Sequence, residues 1–367
     1  MSFNKNKLII RFFYDANFSV NEYRGMGKFI NFLVDVLNDD FDVIGLLKSN
    51  ISKKSFLNFG FSNYILWEQI SLSFFSFFNS GIYLFPYNTA PFFLNRKNFN
   101  VLILHDLIFL ERLEGLTFKQ TIGKYYRTFL VKSVIKKVDQ IITVSEFSKN
   151  QIIEKFSVSR DKIFVIYNTL DPYNSDNSSV ISKKNYFFHI GGEPSYKNTK
   201  SLIFAFALLP DNIKERYRLK ILGIRNSNTL VGYKKLAKQL NILDRIDFLS
   251  YQTDEEIRVL FQEASLFIFP SFIEGFGIPI IEAMKYGCPL VISNSSCFPE
   301  IAENSATYFD PYSYESIVNA VVSVLVNDSD RQKKVDLGYK RFRKFNFENF
   351  RLQVADWVIK LNERNNK

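Results

Sequence analysis

Short apolar runs alternate with helix-period segments from one end of this chain to the other, and midway the alternation stops and begins again. A strand buried on both faces needs a near-continuous apolar run, and a parallel neighbour needs a helical crossover between them. The first series of such runs is Leu8 to Phe13, Val43 to Leu47, Ile82 to Phe85, Val101 to Leu104, Ile141 to Val144 and Ile163 to Ile166. The second is Tyr186 to Ile190, Leu219 to Leu222, Ile246 to Leu249, Leu266 to Phe269 and Leu290 to Ser293. Between them lies Asp171 to Lys184, rich in Asn and Ser and containing Pro172. The pattern predicts an α/β chain of two Rossmann-like domains facing a cleft: residues 1–172, residues 173–345, and a tail, 346–367, packing back onto the body. In that tail Phe350, Val354, Trp357, Val358 and Leu361 share one face of a helix from about Glu348 to Leu361.

The chain has 367 residues, too many for a usual single core, so two domains fit its length. No segment supports a membrane-spanning helix: the most apolar stretch, Ile65 to Phe78, contains Glu68 and Gln69 and is too short. Leu8 to Phe13, broken by Arg11, lacks the core and cleavage site of a signal peptide, which leads to the expectation of a cytoplasmic protein. Asn-x-Ser sequons such as Asn177-Ser-Ser then have no consequence. Cys288 and Cys297 are the only cysteines, lack metal-ligand spacing, and read as buried thiols. The net charge of +10 favours an anionic partner. Nucleic acid is disfavoured, because no recognition motif accompanies the charge and the basic residues spread over both halves.

The densest chemistry lies after Leu266 to Phe269. Ser271 to Gly277 reads as a turn and Ile278 onward as a helix with Pro279 in its first turn. Gly275, Phe276, Gly277 and Ile278 would present backbone amides at that helix start, where an anion such as a diphosphate is favoured. Glu274 precedes the helix and Glu282 lies about one turn inside it. Carboxylates make poor phosphate ligands and good acceptors for hydroxyl donors, the chemistry of reading sugars. Upstream, Gly191-Gly-Glu-Pro-Ser-Tyr-Lys-Asn198 resembles a phosphate loop, with Gly192 for close approach and Lys197 as the cation or as an ordinary solvated lysine.

Three further places could contribute. Gly25 and Gly27, in Arg24-Gly-Met-Gly-Lys28, open a helix and admit a phosphate or a sugar, or form a plain turn. His105-Asp106 follows a buried strand and should emerge at the sheet edge, whereas His189, inside Tyr186 to Ile190, reads as core. Ser145 opens a helix as its N-cap, as a ligand contact, or as both.

Taken together, Glu274 with Glu282, Pro299-Glu300, Gly191-Gly192 with Lys197-Asn198, His105-Asp106 and Val144-Ser-Glu-Phe-Ser148 resemble glycosyltransferase family 4. The resemblance runs from Tyr14 to about Pro311 and is nearest the bacterial mannosyltransferases that build O-antigen and capsule repeats. It implies the GT-B architecture and retaining transfer from a nucleotide-diphosphate sugar, GDP-mannose or else a UDP-hexose, with neither metal nor cofactor. By the same resemblance Glu274 takes hydroxyls of the transferred sugar, Glu282 the ribose, Gly275 to Gly277 the sugar and phosphate, and His105 lies near the reacting face with Asp106 orienting the acceptor. The acidic pairs Asp40-Phe-Asp42 and Asp328-Ser-Asp330 read as chance, one beginning a strand and the other ending a helix. One departure is Tyr196, where the family commonly has an arginine that grips the diphosphate; Lys197, helped by Arg24, would then carry that charge. The same gap leaves open a weak donor affinity or a non-catalytic, nucleotide-sugar-binding scaffold.

Phe118 to Val138 reads as a helix mixing Lys119, Lys124, Arg127, Lys132, Lys136 and Lys137 with Tyr125, Tyr126, Phe129 and Leu130. It is either an ordinary surface helix or a peripheral attachment to the anionic inner face of the membrane, where a polyprenyl-diphosphate-linked saccharide would be the acceptor.

Overall fold

A computed structural model describes residues 10–20, 25–49, 56–111, 118–170 and 182–365. The chain divides into two compact units, one of Met1–Leu110, Phe118–Asn168 and Phe350–Lys367, the other of Glu111–Thr117 and Thr169–Asn349.

Among the described residues the first unit holds a seven-stranded sheet: β1 Arg11–Asp15, β2 Asp42–Lys48, β3 Phe56–Phe59, β4 Ile82–Phe85, β5 Phe99–Ile103, β6 Gln140–Thr143 and β7 Ile163–Val165. Its order is β3-β2-β1-β4-β5-β6-β7, with every neighbour parallel. Fully buried Phe12, Leu46, Leu102, Ile141 and Ile142 explain the unbroken apolar runs. The second unit holds β8 Lys184–Ile190, β9 Arg218–Leu222, β10 Ile246–Leu249, β11 Ala264–Phe269, β12 Leu290–Ser293 and β13 Ala306–Phe309. These run β10-β9-β8-β11-β12-β13, again all parallel, with Phe187 paired to Leu266 and Phe188 to Phe267. Chain order reverses between β1 and β4 in one sheet and between β8 and β11 in the other. Helices on either side of such a point diverge and leave a crevice beyond the strand ends, where ligands of open α/β sheets bind.

Several sequence expectations shift. The first strand is Arg11–Asp15 rather than Leu8 to Phe13, and residues 8 and 9 lie outside the described residues, as do Arg24 and most of the 171–184 stretch. β3 and β13 lie outside the expected runs, because a four-residue edge strand with half-exposed positions carries no clear period. The helix expected over Phe118 to Val138 stops at Val134; Ile135 and Val138 then turn into the core. Asp328-Ser-Asp330 opens a helix instead of ending one, because the Asn327 side chain accepts the Asp330 N–H at 3.0 Å as its N-cap. The final helix, Phe347–Asn365, is longer than expected, and its buried Phe350, Val354, Trp357 and Leu361 form the anticipated face. From Phe350 onward it belongs to the first unit, where Trp357 Nε1 donates to Gln140 Oε1 at 2.7 Å and Phe350 meets the Phe29 ring edge-on.

Candidate functional site

In the second unit the residues assigned to the donor gather where β8 and β11 end side by side. Leaving β8, the chain places Gly191 so close to its surroundings that a Cβ there would lie 2.7 Å from Thr199 Oγ1. It then makes a short helical turn, Ser195–Lys197, and passes through Asn198 in the left-handed conformation (φ 54°) into the helix Thr199–Ala207. Buried Asn198 donates from Nδ2 to the carbonyls of Pro270, at 3.1 Å, and Pro311, at 2.9 Å. Phe272 N–H donates to the Tyr196 carbonyl at 2.8 Å. The bonds to Pro270 and from Phe272 lash the loop after β8 to the loop after β11, and the bond to Pro311 ties it to the loop after β13, which fixes the frame around these residues.

That frame sets Lys197 Nζ 2.7 Å from Glu274 Oε1. Both side chains are mostly covered, at 19% and 13% exposed, so the pair is held out of bulk water. The ammonium also lies over the Phe269 ring at 5.2 Å. Lys197 and Glu274, read from sequence as separate contacts to diphosphate and sugar, are thus partners of one another. Glu274 is itself anchored: its backbone N–H donates to Ser296 Oγ at 2.9 Å, and its carbonyl accepts from the same hydroxyl at 2.6 Å. Nothing in the spacing of the chain pointed to Ser296 as a support.

Behind Glu274 the turn ends at Gly277, in the left-handed region at φ 90°, and the helix Ile278–Lys285 begins. A Cβ on Gly277 would lie 3.1 Å from Ile280 Cδ1 and 3.2 Å from Phe298 Cε1, so glycine is required twice, for conformation and for space. Pro279 sits in the first turn, where its missing N–H costs nothing. The Phe276 side chain is buried and meets the Phe345 ring at 5.6 Å, so what residues 275 to 278 offer a ligand is main chain. Glu282 lies half-buried in that helix.

His189 is fully buried. Burial pushes its pKa down to about 3, the Ile268 carbonyl partly opposes that, and the nearby Lys197 charge adds to it. A carbonyl can only accept, so Nδ1 carries the proton toward Ile268 (3.0 Å) and Nε2 accepts from Thr199 Oγ1 (3.0 Å). The residue is a structural tie, as its place within the strand implied.

The first unit gathers a second set. Gly25, at φ 75°, precedes the helix Met26–Asn38, and Gly27 is buried inside that helix. Phe29 of the same helix meets the His105 ring edge-on at 5.1 Å. His105 N–H donates to Asn88 Oδ1 at 2.8 Å, and its ring Nε2 donates to the Pro86 carbonyl at 3.1 Å. Burial lowers its pKa to about 4. The imidazole is therefore neutral near pH 7, with Nδ1 as an acceptor. Asp106 Oδ1 accepts the Ile108 N–H at 3.1 Å. Ser145 is buried and caps the helix Glu146–Phe156 by accepting the Ser148 N–H at 3.0 Å, while Ser148 Oγ donates to the His105 carbonyl at 3.3 Å. The Gly25 helix, the end of β5 and the Ser145 cap thus meet around one histidine.

No sequence motif marks the neighbouring crevice between β1 and β4. Asp15 and Glu68 are both buried and both bonded by the Tyr64 hydroxyl, at 2.8 and 3.2 Å. Glu68 also accepts from Thr89, Gln69 and Tyr126. Burial raises Asp15 to about 7 and raises Glu68 as well. Residues 15, 68 and 126 are too far apart in the chain for any spacing rule to join them.

Comparison with known proteins matches the fold. Residues 173–341 fit the family model of the group 1 glycosyl transferases, and residues 80–173 that of Glycosyltransferase Family 4. End to end the two matches span residues 80 to 341, more than half of the chain. It belongs to the family 4 glycosyltransferases, and its two parallel-sheet Rossmann-like units are those of the GT-B fold. The chain is 29% identical over 241 residues to the O-antigen chain mannosyltransferase RfbU of Salmonella typhimurium, a match covering 65% of this chain and 64% of that one. It is 31% identical over 243 residues to O-antigen chain mannosyltransferase B of Escherichia coli, covering 62% and 63%. In each case the match spans a little under two thirds of the relative's length. Among solved structures, sucrose-phosphate synthase from Thermosynechococcus elongatus has a TM-score of 0.73 at 14% identity over 97% of this chain and 100% of that one, a likeness of fold.

Proposed function

We propose that the chain is a retaining, metal-independent hexosyltransferase that moves mannose from GDP-mannose to a polyprenyl-diphosphate-linked saccharide in surface-polysaccharide assembly. The observation that carries the reading is the pairing of Lys197 with Glu274 beside the helix start at Gly277, at the point where β8 and β11 diverge. A cation, a row of main-chain amides and a hydroxyl-accepting carboxylate suit a diphosphate joined to a sugar better than either half alone. The choice of mannose rests on the names of the two curated relatives.

In this reading Lys197 and the amides of residues 275 to 278 meet the negative charge that grows on the leaving diphosphate. Glu274 orients the sugar through its hydroxyls, and Glu282 reads the ribose. Fixed dipoles aimed at developing charge in a water-poor site are worth several kcal/mol. The bond from the anomeric carbon to the diphosphate breaks while the acceptor oxygen bonds on the same face, and the acceptor's proton passes to the leaving diphosphate. His105, neutral and with Nδ1 as an acceptor, takes a hydroxyl hydrogen of the sugar, and Asp106 orients the acceptor. With its acceptor anchored in lipid, the enzyme works at the anionic face of the membrane.

A panel of nucleotide sugars, screened by thermal shift and then by release of GDP or UDP, tests the donor. Turnover confined to UDP-hexoses would replace mannose in the proposal. Binding without turnover of any donor would favour the scaffold reading. Glu274→Ala should abolish release while preserving the fold, and unchanged activity would overturn the site assignment.

A further inference from the structure

The segment Phe61 to Phe78 leaves an apolar face exposed to solvent. Leu66, Ile70, Phe74 and Phe78 recur every four residues along a continuous helical stretch that includes a π-helical turn, Trp67–Leu72, and all four are exposed. Phe74, Phe77 and Phe78 are 65%, 59% and 73% exposed, beyond what single surface aromatics require. The inward side buries Trp67 and Leu72 together with polar groups, including Glu68, Ser71, Ser73 and Ser76. Ser73 Oγ donates to the Phe93 carbonyl at 3.2 Å, and the Ser76 carbonyl accepts from the Asn95 and Asn98 side chains at 2.8 and 2.7 Å. Those bonds lock the rotation of the helix, so the phenylalanines cannot turn inward without stranding buried polar groups.

The apolar surface continues beyond this helix. Phe93, 68% exposed, packs on Phe92 at 5.0 Å, and Phe92 stacks parallel to Phe129, 62% exposed, at 6.2 Å. Tyr125, 70% exposed, stands one turn before Phe129 on the helix Phe118–Val134. Gln69 Nε2, donating to the Tyr126 hydroxyl at 2.9 Å, ties the two helices together. Around this surface the charges have one sign. Lys137 lies 4.0 Å from the centre of the Phe92 ring, and Arg96, Lys97 and Lys132 are exposed. In residues 61–98 and 118–138 the only acidic side chain is Glu68, which is buried.

We propose that this face docks the protein onto an anionic lipid bilayer by inserting Phe74, Phe77, Phe78 and Phe93 below the headgroups, with the basic fringe on lipid phosphates. Aromatic rings beneath and cations above match the order of an interface, acyl region below and phosphates at the surface. A second copy of the chain fits less well, since a two-fold contact through this face would set one basic fringe against another. Among the described residues no helix is long and apolar enough to cross a membrane, consistent with lying on one. The inference deepens the membrane part of the function proposed above and rests on that reading for its lipid acceptor, whereas docking itself needs neither nucleotide nor acceptor.

Full-length protein is sedimented with sucrose-loaded vesicles of phosphatidylcholine, alone or with about 30 mol% phosphatidylglycerol to supply the negative surface. Binding should be stronger to the anionic vesicles and should keep a salt-resistant part. The triple variant Phe74→Ser, Phe77→Ser, Phe78→Ser should lose about a hundredfold or more of its binding at every salt concentration. Lys132→Glu with Lys136→Glu should weaken binding at low salt and leave the salt-resistant part. As a direct probe, the Phe74→Trp variant should emit at shorter wavelength with vesicles and be quenched by brominated lipid, against a background of Trp67 and Trp357, which are fully buried. Wild-type binding by the triple variant, or an emission from the Phe74→Trp variant that vesicles leave unshifted, would overturn the proposal. So would a concentration-dependent dimer that the triple variant abolishes, with vesicle binding unaffected.

Discussion

Replacing Lys197 or Glu274, one at a time, should separate nucleotide affinity from turnover. At 2.7 Å, with an effective dielectric constant near 20, the gross attraction is about 6 kcal/mol, most of it offset by the cost of covering both charges. Removing one charge from such a pair costs about 3 to 5 kcal/mol in a dry interior and about 0 to 1 at the surface, so at 19% and 13% exposure roughly 2 kcal/mol is expected. If Lys197 holds the diphosphate as proposed, Lys197→Met removes a charged hydrogen bond worth about 1.5 to 3 kcal/mol and should weaken GDP binding roughly 10- to 150-fold. Glu274→Gln instead frees Lys197 from its carboxylate. GDP should then bind as well as to wild type or several-fold tighter, while transfer falls about 100- to 1,000-fold as the sugar loses its anchor. Calorimetric titration of GDP and steady-state release of GDP from GDP-mannose measure the two halves, with circular dichroism as the check on folding. If Glu274→Gln weakened GDP as much as Lys197→Met does, or left transfer within about threefold of wild type, the division of labour would be wrong.

Gly277→Val places a branched side chain at φ 90° against Ile280 and Phe298, which should cost about 3 kcal/mol and lower the melting temperature along with GDP affinity; an unchanged melting curve would contradict the steric argument. His189, neutral in the fold with a pKa near 3 against an ordinary value near 6.5, costs no stability above pH 6.5. Stability should then fall by about 1.4 kcal/mol per unit as pH drops from there toward 3. In His189→Gln, urea midpoints measured from pH 7 to pH 4 should fall less steeply. Asp15 has the opposite sign: with its folded pKa raised to about 7, its contribution is greatest below pH 4 and is lost as pH climbs through 7. Asp15→Asn should accordingly gain stability relative to wild type at pH 8 more than at pH 5. Burial raises the Cys288 thiol to about 11 and Cys297 well above its ordinary value, so neither should react with a thiol reagent until the chain unfolds.

Much of the donor side was legible in the chain itself because its determinants are local. Gly277 and Pro279 declare a turn into a helix through steric rules that act over two or three residues. Ile82–Phe85 and Leu290–Ser293 stand where their apolar runs put them, because strands buried on both faces have no other way to be written. Short edge strands such as Phe56–Phe59, half open to solvent, leave no such mark. The helix through Ile65 to Phe78 is silent for a related reason: its apolar run does not say which side faces out, and the bonds from its serines, to Phe93 and within its own turns, help to fix that.

By itself, then, the order of residues determined two parallel α/β layers, the loops that follow their strands, and the residue types those loops offer, since each depends on contacts between near neighbours in the chain. Tertiary structure alone decided that Lys197 and Glu274, 77 positions apart, share a bond, that Asn198 binds the two loops together, and that Asp15 and Glu68 lie on either side of one tyrosine hydroxyl. Those outcomes depend on which strands become neighbours. That choice is made by the packing of the whole sheet, where the energy of each pairing depends on all the others.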